Sequence, residues 1–237
     1  MDLGNSEWEK EWRKRLPHLE HLKSSIVRDE FHSIVGLSIK ELGFERAKED
    51  LWLKPVTDEI QHAVLISALK GLSHKVCIGI RLSFAPRLRP GYVRDHIPSE
   101  PGWESLDLVH YPYSEGPDNP AKTLIDAGSG HKYLRKDIRT QHKFIIPYMR
   151  SYFANADSLT AVLDMYEAER VRKHRGLGFK NHARHLVSYP FLLARLGMID
   201  KAIPLIETEL DRIEAIDSVR EKTMDRLHEV AALGSEK

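Results

Sequence analysis

From His74 to Phe84 the sequence alternates, with Val76, Ile78, Ile80, Leu82 and Phe84 in one phase and Lys75, Cys77, Gly79, Arg81 and Ser83 in the other. A period of two sends successive side chains to opposite faces, so this stretch predicts a strand with one face in a core. Just before it, from Ile60 to Leu69, Val64, Ile66 and Ala68 alternate with Ala63, Leu65 and Ser67. That pattern predicts a strand apolar on both faces. The connection Lys70-Gly71-Leu72-Ser73 is short enough to pair the two strands antiparallel. Leu51-Trp52-Leu53, closed by Pro55, predicts a strand ahead of them.

Around this sheet the period is helical. Ser6 and Glu9 have capping-box spacing, and Trp8, Trp12 and Leu16 repeat every four residues up to Pro17, predicting a short first helix. Leu19, Leu22, Ile26, Ile34 and Leu42 predict a longer helix with Gly43 as its stop, placed to cover the sheet. Residues 85 to 130 are rich in Pro and Gly and predict an irregular region, with Leu106 to Tyr113 as an edge strand. Helical patterns follow over Tyr133–Phe153 (kinked at Pro147), Leu159–Arg172, His182–Leu196, Asp200–Ile216 and Val219–Leu233. The joint around Gly197 looks like a tetratricopeptide-type hairpin, but one such unit does not make an array. The reading is therefore α+β: an antiparallel sheet covered by an N-terminal helix, followed by a helical C-terminal part with that hairpin. Its divisions are an N-terminal helix over 1–17, an α+β domain over 18–155, and helices over 156–237 packed on it.

No apolar run approaches the roughly 20 residues needed to span a bilayer, so no membrane is expected as a partner. Met1 to Trp8 lacks the basic start and apolar stretch of a signal peptide. The lone Cys77 excludes an internal disulfide, and a reducing cytoplasm is the expected location. The net charge of +1 hides a segregated pattern. Arg170 to Ile199 contains no Asp or Glu, whereas the segment after it is acid-rich.

Candidate chemistry is sparse. His182 and His185, near His174, share a helix face but have no carboxylate beside them, and His18 and His21 sit next to Pro17. Neither set completes a metal site, so no metal is expected. Gly128-Ser129-Gly130 precedes a helix without the Lys-Ser/Thr pair of a phosphate loop, and Gly176-Leu177-Gly178 lacks the third glycine of a dinucleotide site. Cys77 has no neighbouring His, and no GxSxG elbow exists. No cofactor and no catalytic residues are expected, and the chain reads as a binding protein rather than an enzyme.

Arg and Tyr are the residue types that anchor interfaces. The expected partner-binding residues are Arg87, Arg89, Tyr92, Arg94 and Tyr111 in the irregular region, with Arg172, Arg175, Lys180 and Arg184 in the basic segment. Phe179 is the only aromatic in that segment, so nucleic acid is the weaker reading of it. The alternatives are a nucleic-acid-binding protein using residues 170–185, or an enzyme with an unrecognised site.

The stretch Phe31 to Phe84 resembles a bacterial domain family of unknown function, family 4304. The matching pieces are Ile39-Lys40-Glu41-Leu42-Gly43-Phe44-Glu45-Arg46, then Leu51-Trp52-Leu53-Lys54, then Val76-Cys77-Ile78-Gly79-Ile80, with Phe144-Ile145-Ile146-Pro147-Tyr148 beyond the sheet. The resemblance implies a role as an immunity protein of a polymorphic toxin system: a protein-binding inhibitor that occludes a cognate toxin. It carries over no catalytic residues.

Overall fold

The computed structural model describes residues 22–68, 73–95, 106–110, 124–128, 130–171 and 185–235. The predicted first helix, Gly71 and Tyr111 lie outside these residues. The chain is α+β. Helix α1 (Ser24–Glu41) leads into strands β1 (Glu45–Lys48), β2 (Leu51–Pro55), β3 (Ile60–Ala68) and β4 (Ser73–Leu82). Each pairs antiparallel with the next, and Val64 of β3 faces Ile78 of β4. Two later strands share the far edge of β4. Strand β7 (Leu108–His110) pairs with its residues 78–80, and β8 (Leu124–Asp126) pairs with its residues 73–75. Between them in sequence, β5 (Arg87–Arg89) and β6 (Tyr92–Arg94) form a separate hairpin. Helices α2 (His131–Phe153), α3 (Leu159–Val171), α4 (His185–Arg195), α5 (Ile199–Arg212) and α6 (Asp217–Ser235) complete the order.

Helix α1 buries a different stripe from the one its sequence suggested. Val27, Phe31, Val35 and Ile39 are buried at four-residue spacing, while Ile26 is 37% exposed and Ile34 only partly covered. The helix begins at Ser24, so Leu22, buried just ahead of it, does not set its phase. The helix ends as expected. Gly43 has φ +87°, its N–H bonds Lys40 O and the next N–H bonds Ile39 O, a left-handed stop that glycine takes without strain.

One face of the sheet carries two cores side by side. Trp52, Val64, Ile66, Val76 and Ile78 pack with α1 and with Leu134, Ile138, Ile145 and Met149 of α2. Further along the same strands, Ile60, Ile80 and Leu82 pack with Tyr166 of α3, Phe191 and Leu192 of α4, Ile206 of α5 and Leu227 of α6. The alternation of Val76, Ile78, Ile80 and Leu82 therefore faces one way, as predicted, and all four are buried.

The opposite face of β4 is packed as well, beyond the one packed face that the alternation predicts. Cys77 and Arg81 are wholly buried, and Cys77 joins Leu51, Leu53, Ala63, Leu65, Leu106 and Val109 in a third cluster. Leu106 and Val109 arrive from a distant segment, which no local pattern reveals. Gly79 permits that approach: a Cβ there would lie 2.4 Å from the Leu108 carbonyl oxygen.

In the C-terminal part, α4 and α5 meet across Gly197, at φ +78°, where the Gly197 and Met198 N–H groups bond Ala194 O and Leu193 O. This is the helix–Gly–helix joint read from the sequence. Helix α2 runs through Pro147, which sits on its exposed side.

Candidate interaction surfaces

Residues 85–95 are not irregular. Arg87 pairs with Arg94, Leu88 with Val93 and Arg89 with Tyr92, around a turn made by Pro90 and Gly91. The sequence did hold the signal, since Leu88 and Val93 flank a two-residue turn, but strands of three residues are too short to show a period. Leu88 packs onto the C-terminal core. The Ile216 N–H reaches the Pro90 carbonyl at 3.5 Å, and Arg226 of α6 lies 3.4 Å from Asp95. The hairpin is thus held from below by its apolar side and from behind by α6.

This geometry divides the expected anchors. Arg87 is only 7% exposed and has interactions of its own, so it is part of the hairpin's footing and not a free contact residue. Alternation in β5 turns Arg87 and Arg89 the same way along the strand, but Arg89 stands at the exposed tip. Tyr92 is 46% exposed, and the guanidinium of Arg94, also exposed, lies over its ring at 5.9 Å. That arrangement is a cation–π contact at a solvent-facing edge. Tyr111, Arg172, Arg175, Lys180 and Arg184 lie outside the described residues, as do His18, His21, His174 and His182; His185 opens α4.

The buried polar groups form joints between the sheet and the helices. The His62 ring of β3 stacks on Phe153 at 4.3 Å, and its Nε2 donates to the Ala156 carbonyl at 2.8 Å. Burial holds the His62 pKa below its ordinary value. Asp107 accepts from the Leu82 N–H at 2.6 Å, the Ser188 hydroxyl donates to the Asp107 carbonyl, and Tyr166 meets Ser188 at 2.7 Å. Arg195 donates to Glu59 at 2.6 Å. The Ser188 and Arg195 bonds tie α4 to Asp107 and Glu59 in the loops beside the sheet, and the Tyr166 bond ties α3 to α4. They orient the helical part on the sheet, because a buried polar atom left unpaired costs about 1–3 kcal/mol.

Two other features are a buried thiol and a cleft beside α1. Burial pushes the Cys77 thiol up to about 12, so at neutral pH it is protonated and poorly nucleophilic. A cleft of about 260 Å³ is lined by Ser24, Arg28, Asp50, Ser67 and His74, with Arg28 turned toward Glu49 at 3.4 Å. Among the described residues no group of three or more His, Cys, Asp or Glu is placed to hold a metal ion. None of the described helices is long and apolar enough to cross a membrane. No family model, no characterised protein and no solved structure matches the chain.

Proposed function

We propose that this chain is a non-enzymatic, stoichiometric inhibitor that binds another protein, and that its partner is a bacterial toxin for which it serves as the immunity protein. The observation supporting a binding role is the hairpin tip. Arg89, Tyr92 and Arg94 project from a two-stranded support whose other side is sunk in a core. Arg and Tyr dominate the energetic centres of interfaces, and a pre-positioned side chain loses less entropy when it docks. Immobilising a free side chain of that size costs about 0.5–1.5 kcal/mol, which a fixed tip largely avoids. The choice of a toxin as partner rests on the resemblance of Phe31 to Phe84 to family 4304.

The test begins with the gene next to this one. Its product, if it is a large secreted protein with a toxic C-terminal domain, is expressed as that domain and mixed with the purified chain. A one-to-one complex should form by light scattering and should suppress toxicity in cells. Tyr92→Ala with Arg94→Ala should weaken it by about tenfold or more, the effect of removing an interface anchor. Absence of a complex with the neighbouring toxin, or a complex indifferent to the tip, refutes the reading.

A further inference from the structure

Helix α2 carries a second charged surface, apart from the hairpin tip. Lys132, Lys136, Arg139, Lys143 and Arg150 are all exposed. At 100° per residue they fall within about 60° of one another, forming a stripe about 27 Å long. The helix's one acidic residue, Asp137, lies on a different side and has interactions of its own. Glu30 of α1 is already held by His131 and Arg135, at 2.6 Å each. None of the five cations makes an ion pair among the described residues. A row of like charges with no neutralising partner is unfavourable in isolation, and an anionic ligand relieves it.

The stripe has an apolar neighbour. Helix α1 lies beside α2, fixed there by Glu30 to Arg135 and by the contact of Ser38 with His142 at 2.8 Å. On the outward edge of that same flank, Leu37 is 70% exposed and Ile26 37% exposed, about three turns apart. Cations therefore run along α2 and aliphatic side chains along α1, in two roughly parallel rails. We infer that this face binds an acidic amphipathic helix of a partner protein, its apolar side on Ile26 and Leu37 and its carboxylates along the α2 stripe. A phosphate backbone would use the cations but leave the aliphatic rail in water. Among the described aromatics of α2, Tyr133 is exposed but sits about 90° around the helix from the stripe, where it offers no stacking platform beside the cations. The surface does not involve the hairpin tip, so it stands or falls separately from the toxin reading.

The test uses the full chain and a fluorescein-labelled synthetic peptide of about six turns, with Leu along one helical face and Glu along the adjacent face. Its comparisons are the same composition in scrambled order, a single-stranded oligonucleotide and a DNA duplex, all at about 150 mM salt. The ordered peptide should bind in the micromolar range and at least about tenfold more tightly than the scrambled one. Lys136→Glu with Arg139→Glu should weaken it by about tenfold or more, and Leu37→Asp by about threefold or more. Both variants change exposed residues and should melt like the parent chain; a neutralising Lys136→Gln with Arg139→Gln serves if the reversal does not. Equal binding of ordered and scrambled peptides overturns the inference, as does no binding of either. DNA binding that is tighter than the peptide's, lost on charge reversal and indifferent to Leu37→Asp, assigns the stripe to nucleic acid instead. Self-association of the chain that is abolished by the same reversal assigns it to a second copy.

Discussion

Ile78→Ala probes the point where the sheet, α1 and α2 meet. Ile78 is wholly buried at the centre of β4, opposite Val64 on one side and His110 on the other. It belongs to the cluster of Phe31, Val35 and Trp52, and the Phe31 and Trp52 rings lie 5.6 Å apart. Truncation removes roughly three carbons, and at about 0.8 kcal/mol each the transfer loss is about 2.4 kcal/mol. The neighbours are held by strand pairing and by α1, so the hole closes incompletely and the total rises to about 3–4 kcal/mol. With an m-value of about 3 kcal/mol per molar urea, the unfolding midpoint should fall by about 1 M. Far-UV circular dichroism during urea titration reads this directly. Leu37→Ala, at an exposed helical site, is the control and should move stability by less than about 0.5 kcal/mol. A midpoint for Ile78→Ala indistinguishable from the control would mean that the strand's register or its buried face is wrong.

Gly79→Ala places a methyl group against the Leu108 carbonyl and should cost about 1–3 kcal/mol, with amide exchange at 108–110 accelerating as β7 separates; unchanged exchange would remove the close approach. Glu59→Gln strips the carboxylate from Arg195, whose side chain is only 7% exposed, and should destabilise by about 2–4 kcal/mol; the loss should shrink in an Arg195→Met background, and simple additivity would deny the pairing. The His62 pKa is lowered chiefly by burial, with the Lys54 ammonium adding to it and the bond to Ala156 and the Asp157 carboxylate opposing. The unfolded chain takes up this proton near pH 6.5 and the folded chain only at lower pH, so this contribution is complete above pH 6.5 and declines as the pH falls below it. His62→Gln should flatten the fall in Tm between about pH 6.5 and 5, and an unaltered slope would clear His62 of the effect.

The parts of the fold that were legible are those whose signal is local. The alternation of Val76 to Leu82 and the helical stops at Gly43 and Gly197 each depend on residues within a turn or a strand of one another. What escaped depends on residues far apart. That the second face of β4 is packed as fully as the first becomes visible only when Leu106 and Val109 join Cys77 from a remote segment. Arg87 read as an exposed anchor because its burial depends on where the hairpin docks. The stripe on α2 is a different case. Lys132, Lys136, Arg139, Lys143 and Arg150 are spaced four, three, four and seven apart in plain view. The denser run of charge at Arg170 to Arg184 is the more conspicuous, although concentration along the chain says less about a surface than periodicity does.

The two cores on a single sheet face bear on how this chain could be divided or recombined. Helices α3 to α6 take part of their floor from Ile60, Ile80, Leu82 and Leu108. Removed from the sheet, that bundle would show water an apolar sole. A sheet cut after Phe153 would keep α1 and α2 but expose half of one face. Neither piece is a module that could be exchanged intact between proteins. Change in the C-terminal helices therefore has to arise by substitution on their outer surfaces, with the sheet beneath them held constant.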